Sequence, residues 1–530
     1  MAEEVIIVPV DGATNIKLEV LSFETLGTIV SKDTASPSCE VGGLRYNSTG
    51  EEFAWFDKAV ASLPGEVRGK VAVIAPVARG ASGGLVGNDG SLTEVPGRGL
   101  TLSYNQRYPD AVECRFRELA GSERDFFLET GSIRDFPGSL TLIKRFVFEE
   151  MERPDLLKQA AGFGVYGVLM AGHFLGDDYL RAVKLAGNEH SYWMCHSGAR
   201  DITGPPGKPS RLTAKIESFW RLVPRGPAVA YRPIGHVPPP QAATLGIAGR
   251  LLVVPGGHDT CLSHIPVMAT FGQAFPEMAG KPVIQVDGGT WTMVAQIGGT
   301  ARLLEDGFRR DILVQGTVDG EPVVTARYGG GNDFKYLKAL IEARSKAKSP
   351  ETKAGHGTDE KLLLQVLRAA DCFVLPNINP VNHGTGPFPN IRGRIVNEES
   401  FLSDPARAVV VANLTTAITT SVQIEAIAQD SGVPIVITAG ASKDPYFGRL
   451  LATLTGRKVY TMFDKAGNAV TETTTLGAAI VGKAAVLGGH PYRVDVGTLG
   501  VSYAALEPFG ADVAQALAEY RKRLLQLVSA

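Results

Sequence analysis

Several patterns that would assign a function at once are absent from this chain of 530 residues. There is no G-x-x-x-x-G-K-[ST] pattern, which excludes a P-loop nucleotide site. The patterns H-E-x-x-H and G-x-S-x-G are also missing, so neither a zinc-peptidase helix nor an α/β-hydrolase nucleophile is indicated. The five cysteines are odd in number, widely spaced and without a C-x-x-C pair. We therefore expect reduced thiols rather than a disulfide framework or a zinc site.

The chain also lacks an excess of one charge and lacks long apolar runs. Its 53 basic and 55 acidic residues give a net charge of −2, so we expect neither nucleic acid nor an anionic membrane as a partner. No apolar run approaches the roughly 18 residues of a transmembrane helix. The first residues, MAEEVIIVPV, are acidic and then strand-like, unlike a signal peptide. These absences predict a cytoplasmic protein.

What the sequence does contain is the composition and periodicity of a globular α/β protein. Hydrophobic residues make up 44% and charged residues 20% of the chain, and its length predicts at least two domains. Short buried-strand patterns such as Val71–Pro76 and Pro434–Ile437 alternate with helical spacing, as in residues 407–430 and the C-terminal tail. This alternation is typical of α/β folds.

One short phrase occurs twice, half a chain apart. Residues 10–14 read VDGAT and residues 286–290 read VDGGT, each between two apolar runs. A glycine-containing tight turn between apolar runs predicts a β-hairpin, and backbone N–H groups around such turns can bind an anion. The repeat predicts a duplicated domain, divided into residues 1–278 and 279–530. Two ordinary hairpins that share four of these five residues by chance are the alternative.

A second motif, LVVPGGHDT, spans Leu252–Thr260. Its apolar start predicts a buried strand that delivers His258 and Asp259 to the carboxyl end of a sheet, where ligands bind in open α/β folds. A carboxylate there can accept the proton of a hydroxyl that attacks a phosphoryl group. Asp259 could equally serve as a helix N-cap. His258 and His264, without metal-ligand spacing around them, are more often structural than ligands.

Two glycine-containing turns remain. Residues 439–443, AGASK, follow the strand Pro434–Ile437 and precede a helix, where small residues and a helix N-terminus suit a nucleotide; a plain strand-to-helix turn is the alternative. Residues 162–167 match G-x-G-x-x-G, but they follow a helical pattern within a stretch (140–170) that reads as mostly helical. The dinucleotide fingerprint must follow a strand, so we interpret this match as a helix stop and turn.

Taken together and in this order, the motifs resemble the FGGY family of carbohydrate kinases, within the sugar kinase/Hsp70/actin superfamily. VDGATNIK is similar to the family's first phosphate loop, D-x-G-T-T-x-x-K, and GGHDT to its G-G-x-D segment. DGGTWTMV, TAGASKD, GTGPFPNIRG (384–393) and ETTTLGAA (472–479) resemble later family motifs. Any one of these motifs is weak evidence, but their common order along almost the whole chain is strong.

The resemblance implies two RNase-H-like α/β domains around a cleft and a reaction that uses ATP and Mg²⁺. It implies Asp259 as catalytic base, with His258 beside it at the substrate, and Asp11 as the residue that supports Mg²⁺. The ATP contacts implied are Gly12, Thr14, Lys17, Gly289, Thr290, Gly440, Ala441 and Ser442. Dimers are common in the family, so a homodimer is one expectation.

The sugar site is drawn less sharply. Arg79 follows the strand pattern VAVIAP, where family members place sugar-binding residues, and Tyr104-Asn105-Gln106-Arg107 falls where many have an aromatic-x-Asp/Gln-x-Arg segment. An aromatic face with amide and guanidinium donors suits a polyol or a ketose. An ordinary surface turn is the alternative for residues 104–107.

The chain also departs from the family pattern. Aligned without gaps on T-N-I-K, the family's first-loop Asp falls on Val10; aligned through the internal repeat, Asp11 keeps the role but the loop is one residue shorter. Either alignment puts the metal geometry in doubt. Ala439 and Ala441 stand where Gly is usual. These departures indicate a divergent branch, similar to rhamnulose and fuculose kinases.

The function we expect is therefore ATP-dependent phosphorylation of a hydroxyl on a ketose, deoxyketose or sugar alcohol. The alternative is a catalytically inactive protein of the same fold that binds a sugar or nucleotide as a sensor. Retention of Asp259 and of both hairpin threonines argues against that alternative. An ATP-driven switch like actin or Hsp70 would leave the GGHD segment without a role.

Overall fold

The computed structural model describes residues 4–529 except 13, 96, 137, 195–196, 300–302, 345–358, 383 and 496–499. Two compact units emerge. Unit 1 comprises residues 1–271, 314–322 and 472–500; unit 2 comprises residues 272–313, 323–471 and 501–530. The units interleave along the sequence, and the division into residues 1–278 and 279–530 stays a prediction.

The elements before residue 279 belong mainly to unit 1. The strands are Val5–Asp11 (β1), Asn15–Ser22 (β2), Thr28–Ala35 (β3), Ser38–Val41 (β4), Leu44–Asn47 (β5), Val71–Ile74 (β6), Val77–Ala78 (β7), Gly83–Gly87 (β8), Thr101–Leu102 (β9), Ala160–Val165 (β10), Gly235–His236 (β11), Leu252–Val253 (β12) and Gly257–His258 (β13). The helices are Thr49–Ala61 (α1), Gly65–Arg68 (α2), Asp110–Ala120 (α3), Glu123–Thr130 (α4), Lys144–Glu152 (α5), Pro154–Gln159 (α6), Tyr166–Phe174 (α7), Tyr179–Ala186 (α8), His190–Met194 (α9), Glu217–Leu222 (α10), Pro239–Leu245 (α11), Asp259–Ser263 (α12) and Ile265–Ala274 (α13).

The later elements follow in the same numbering. The strands are Val283–Gly288 (β14), Thr292–Ile297 (β15), Ile312–Gly316 (β16), Pro322–Tyr328 (β17), Phe373–Val374 (β18), Ile395–Val396 (β19), Ile435–Thr438 (β20), Val459–Phe463 (β21) and Ser502–Ala505 (β22). The helices are Gly330–Arg344 (α14), Glu360–Ala369 (α15), Glu398–Leu402 (α16), Pro405–Ile427 (α17), Pro445–Thr455 (α18), Thr473–Leu487 (α19) and Ala511–Ser529 (α20).

The main sheet of unit 1 has the strand order β11-β12-β6-β1-β2-β3, and the short strands β7 and β13 extend it beside the end of β1. The pairs β1–β7 and β7–β13 are parallel, with Asp11 opposite Ala78 and His258 also opposite Ala78. The carboxyl ends of three strands therefore meet at one edge. Asp11 is the last residue of β1, and Arg79 and Asp259 directly follow β7 and β13. This edge is where a ligand site is expected in an open α/β sheet.

The main sheet of unit 2 includes β17, β15, β14, β20, β21 and β22 as successive neighbours. Strand β14 pairs in parallel with β20, so that Asp287 lies opposite Thr438. The four residues of β20 are all buried, consistent with a central strand that is covered on both faces. The β14–β15 turn and the 3₁₀ turn Ala439–Lys443 consequently lie side by side.

Helix α19 is rich in small residues, and its glycines allow close packing within unit 1. A Cβ atom on Gly477 would lie 2.0 Å from the carbonyl oxygen of Leu262 in α12. A Cβ atom on Gly482 would lie 3.0 Å from Val73 and 3.2 Å from Ile6, in the sheet. Helix α19 therefore supports both the sheet and the short helix that begins with Asp259.

The interpretation of residues 162–167 as a helix stop and turn is wrong. Residues 160–165 form β10, which pairs antiparallel with β8, and Gly167 lies in the first turn of α7. The glycines serve side-chain packing instead. Added Cβ atoms would lie 2.4 Å from Leu169 at Gly164 and 2.0 Å from the hydroxyl of Tyr192 at Gly167. The space that a pyrophosphate would need is filled by side chains.

In the part of the chain that the structure describes, none of the helices is both long and apolar enough to cross a bilayer. The four described cysteines, Cys39, Cys114, Cys261 and Cys372, are free thiols. Cys195 lies outside the described residues.

Candidate functional site

Asp259 is the first residue of α12, directly after β13. Its Oδ1 accepts hydrogen bonds from the backbone N–H of Thr260 at 2.6 Å and from the Thr260 hydroxyl at 3.2 Å. The same oxygen lies 3.0 Å from Nε2 of His258, and the Asp259 side chain is 41% exposed. Within the described residues all these contacts involve Oδ1, so Oδ2 is left for a ligand. Asp259 follows the N-cap position, which His258 occupies.

His258 is buried behind this carboxylate. Its backbone N–H donates to Oγ of Ser191 at 2.9 Å, and Ser191 Oγ donates to Glu189 at 2.6 Å. Burial lowers the pKa of His258 below its ordinary value, against the opposing effect of Asp259. The imidazole is therefore neutral near pH 7 and contacts Asp259 as an uncharged ring.

Asp11 and Arg79 form a buried ion pair at the same edge of the sheet. Nη2 of Arg79 lies 2.7 Å from Oδ1 of Asp11, and the Asp11 side chain is fully buried. Burial raises the pKa of Asp11 to about 6, because the lowering effect of Arg79 offsets it only in part and Asp259 raises the pKa further. Although burial lowers the pKa of Arg79, Asp11 raises it above its usual value, so the guanidinium stays charged.

Two further residues belong to this cluster and were missed in the sequence. Glu52, in the first turn of α1, accepts a hydrogen bond from the hydroxyl of Tyr166 at 2.9 Å. Burial raises the pKa of Glu52 well above its ordinary value, and Asp11 acts in the same direction. Within the described residues, Oε1 of Glu52 and Nε of Arg79 are buried without a hydrogen-bond partner. No local motif marks Glu52, which reads as an ordinary helix-start acid.

The predicted sugar segment is brought to this cluster only in part. The guanidinium of Arg79 lies 5.5 Å from the ring centre of Tyr104, within cation–π range. Asn105 is exposed, and its backbone N–H donates to Oγ of Ser103 at 3.3 Å. Oε1 of Gln106 instead accepts the backbone N–H of Arg45 at 2.8 Å. The structure therefore associates Tyr104 with Arg79, whereas Gln106 holds a neighbouring strand.

The first hairpin places its predicted phosphate contacts at the surface. The N–H of Gly12 donates to the carbonyl of Asn15 at 3.0 Å, so it is used within the turn. Thr14 is exposed. Nζ of Lys17 lies 3.1 Å from Glu472 and 3.4 Å from Glu19, so its charge is already balanced by carboxylates of the same unit.

The two hairpins differ in length. Asp11 pairs with Ile16, five positions on, whereas its counterpart Asp287 pairs with Met293, six positions on. The first turn is thus one residue shorter than its repeat. The turn that is one residue shorter is the one after Asp11, whose carboxylate pairs with Arg79.

Unit 2 contains a cavity of about 180 Å³. Its walls come from the β14–β15 turn, the start of α14, one face of α17 and the turn before α18; they include Gly288, Gly289, Gly330, Gly331, Asn413, Thr416, Gly440, Ala441 and Asp444. Gly289, Gly440 and Ala441 were predicted from the sequence as nucleotide contacts. Thr290, also predicted, is exposed beside Gly289, whose N–H donates to the carbonyl of Trp291 at 3.1 Å.

The turn Ala439–Lys443 is held by its own contacts. Ala439 adopts φ 57°, a left-handed conformation that favours glycine. Ser442 is buried, and its hydroxyl donates to the carbonyl of Ala439 at 2.5 Å. Ser442 therefore shapes the turn from inside, whereas Gly440 and Ala441 line the cavity.

The start of α14 also lines this cavity, which was not predicted from the sequence. Gly330 and Gly331 open this helix of 15 residues, and a Cβ atom on Gly331 would lie 2.0 Å from the carbonyl oxygen of Gly289. Helix N-termini attract anions. The run Tyr-Gly-Gly-Gly-Asn before a helical pattern was the available signal for it.

The surroundings of Asp11 do not fit direct ligation of Mg²⁺ by its carboxylate. Its buried carboxylate faces Arg79 at 2.7 Å, and a cation on Asp11 would have to replace that guanidinium. Among the described residues no group of three or more His, Cys, Asp or Glu is placed to hold a metal ion. The metal role of Asp11 stays a prediction, and the ion pair argues against it.

Residues 280–487 match the model of the FGGY carbohydrate kinase C-terminal domain. A carbohydrate kinase from Novosphingobium aromaticivorans superposes with a TM-score of 0.76 at 22% identity, over 100% of this chain and 99% of that one. No curated protein matches the chain significantly.

Two further solved structures are similar. The ligand-bound xylulose kinase from Lactobacillus acidophilus gives a TM-score of 0.73 at 14% identity, over 99% of this chain and 98% of that one. The Plasmodium falciparum glycerol kinase with ADP gives 0.72 at 11%, over 100% and 99%. The predicted α/β class with two actin-like, RNase-H-like domains is confirmed. The predicted branch near rhamnulose and fuculose kinases is not confirmed.

Proposed function

We propose that this chain, whose residues 280–487 match the FGGY carbohydrate kinase C-terminal domain, transfers the γ-phosphoryl group of ATP to a hydroxyl of a ketose, deoxyketose or sugar alcohol. The hydroxyl oxygen bonds to the γ-phosphorus, the bond to the β-phosphate oxygen breaks, and ADP leaves. The xylulose and glycerol named for two similar structures are a ketose and a polyol, which supports this substrate class.

The arrangement of Asp259 is the observation that carries the proposal. Its Oδ1 is held by Thr260 and His258, and its second oxygen is left for a ligand. A positioned carboxylate can accept the proton of the attacking hydroxyl as the new bond forms. Arg79 and Tyr104 lie in the same unit and would bind the sugar by hydrogen bonds and ring contact.

Unit 2 would hold the nucleotide. Its glycine-lined cavity lets a base or phosphate approach the backbone at Gly289 and Gly440, and the start of α14 favours negative charge. ATP brings its own Mg²⁺, which keeps several waters and binds mainly through phosphate oxygens. We assign no step to a metal on Asp11. The hydroxyls of Thr14 and Thr290, each exposed in its own hairpin, remain the proposed hydrogen-bond donors to the phosphates.

The test is coupled ADP release with Mg²⁺–ATP across pentuloses, 6-deoxyhexuloses, tetroses and sugar alcohols. Asp259→Asn keeps the size and the Oδ1 acceptor but removes the base. We expect its kcat to fall by about 10² to 10⁴, with the Kd for ATP, measured by calorimetry, unchanged. Activity within a few-fold of wild type would remove Asp259 from the mechanism.

Two observations favour the sensor as a second candidate. The N–H groups of Gly12 and Gly289 already donate within their turns, and Asp11 is neutralised by Arg79. If no sugar in the panel gives ADP release while the folded protein still binds a sugar, the sensor hypothesis explains the protein better than the kinase hypothesis. A cytoplasmic location and a homodimer stay predictions under both candidates.

A further inference from the structure

A buried thiol lies behind the proposed base. Cys261, in the first turn of α12, is 1% exposed, and its Sγ lies 3.4 Å from Nδ1 of His258. The other ring nitrogen, Nε2, lies 3.0 Å from Oδ1 of Asp259. Thiol, imidazole and carboxylate thus form a continuous row of close polar contacts on one helical turn and its N-cap.

The charges along this row favour one position for the ring proton of His258. An ionised carboxylate presents only lone pairs, so Oδ1 of Asp259, 3.0 Å away, favours the proton on Nε2 over a second lone pair there. His258 is neutral, because burial lowers its pKa, and it carries one ring proton. Nδ1 is therefore the lone-pair nitrogen and requires a donor, which the S–H of Cys261 supplies.

The thiol is suited to this task because it remains protonated. Burial raises the pKa of Cys261 well above its ordinary value. Two carbonyl-type oxygens compete for its proton, that of Ser191 at 3.6 Å and Oε1 of Gln315 at 3.9 Å. Both are longer contacts than the 3.4 Å to Nδ1, and both are weaker bases than an imidazole nitrogen.

We propose that Cys261 is a positioning residue, which holds His258 in the Nε2–H tautomer so that the imidazole occupies Oδ1 of Asp259 and leaves Oδ2 for the substrate hydroxyl. The inference rests on the proposed role of Asp259 as base. In the opposite tautomer, a lone pair of Nε2 would face the carboxylate and push it out of position.

Several other described groups contact the backbone or the ring of His258. Ser191, linked to Glu189, accepts the His258 backbone N–H, and the ring of Tyr192 meets the imidazole edge-on with centroids 6.2 Å apart. Asp259 in turn raises the pKa of Asp11, at the end of β1. Replacing Cys261 therefore changes the Nδ1 partner and leaves these contacts in place.

The test compares Cys261→Ser, which keeps a donor, with Cys261→Ala, which removes it. We expect kcat within about threefold of wild type for Ser and about tenfold lower for Ala, the size of one hydrogen bond, with the KM for ATP unchanged in both. Equal loss in both variants, or none in Ala, would overturn the proposal. Thermal unfolding and ATP binding confirm that each variant is folded.

A second readout does not depend on turnover. ¹⁵N NMR of the nine histidines, with His258 assigned by its loss in His258→Gln, reports which ring nitrogen is protonated. We expect Nε2–H for wild type and Ser and a mixture for Ala. An Nδ1–H signal in wild type would refute the inference even if the kinase is active. A protein without kinase activity that still shows Nε2–H would refute the proposed function alone.

Discussion

The substitution Gly288→Ala tests the nucleotide cavity through a single methyl group. A Cβ atom on Gly288 would lie 2.3 Å from Cβ of Ala441 and 3.4 Å from its backbone N and Cα. Carbon atoms pack best at about 3.5–4.0 Å, so one of the two segments must move by more than 1 Å. The backbone of Gly288 is not in the left-handed region, and the strain therefore comes from this contact.

The cost follows from overpacking. Extra methyl groups in well-packed sites cost about 1–3 kcal/mol, and the displacement is confined to the β14–β15 turn and residues 439–443, both of which line the cavity. If the ATP-bound arrangement needs both segments in place, affinity for ATP falls by about 5- to 150-fold. Isothermal titration with Mg²⁺–ATP measures this directly.

Two controls make the result specific. Gly289→Ala adds a methyl group one residue away, where the nearest atom is the carbonyl oxygen of Trp291 at 3.7 Å, and we expect nearly normal affinity. Ala441→Gly removes the clashing atom, so the double variant with Gly288→Ala should regain most of the lost affinity, and a double-mutant cycle gives the coupling. Wild-type affinity in Gly288→Ala, or no recovery in the double variant, would refute the reasoning.

Two other predictions concern stability. Burial lowers the pKa of His173, but hydrogen bonds to Asp177 and Asp57 outweigh this effect and raise it to about 9. Because the pKa in the unfolded chain is about 6.5, the protonated imidazole contributes up to about 3 kcal/mol to the free energy of unfolding. This contribution is complete below pH 6.5 and disappears as the pH rises through 9. Urea unfolding at pH 6 and pH 9.5 should show a smaller difference in His173→Gln than in wild type, and an equal difference would contradict the assignment. Ala439→Gly should raise the free energy of unfolding by roughly 0.5–1 kcal/mol, because Ala439 has φ 57°, where an alanine backbone is strained and a glycine backbone is not. A lower free energy of unfolding in this variant would show that the strain is absent.

The parts of the site that could be predicted are those that a local pattern encodes. The buried run before Pro-Gly-Gly predicts a strand end at His258 and Asp259, because an apolar strand followed by glycines has few other folds available. Arg79 was located in the same way, after the run VAVIAP. The turn at Gly440 was found because a strand and a helix pattern enclose small residues.

The parts that could not be predicted depend on contacts between distant segments. The ion pair of Asp11 with Arg79 requires the parallel register of β1 and β7, and Glu52 reaches it from a separate helix. Strand β10 was mistaken for a helix stop because it has glycines where most strands have β-branched residues. Its pairing with β8 is favoured by the packing that those glycines allow.

The contact between α12 and α19 has a consequence for the order in which the protein can fold during its synthesis. Leu262 and Gly477, whose backbones meet there, are 215 residues apart in the sequence. At about 5–20 residues per second, roughly 10–40 s of translation separate them. Throughout that time the helix that begins with Asp259 lacks its support, and the face of α12 that α19 will cover stays open to chaperones or aggregation. The ribosome must therefore complete nearly all of unit 2 before unit 1 can close around its proposed base.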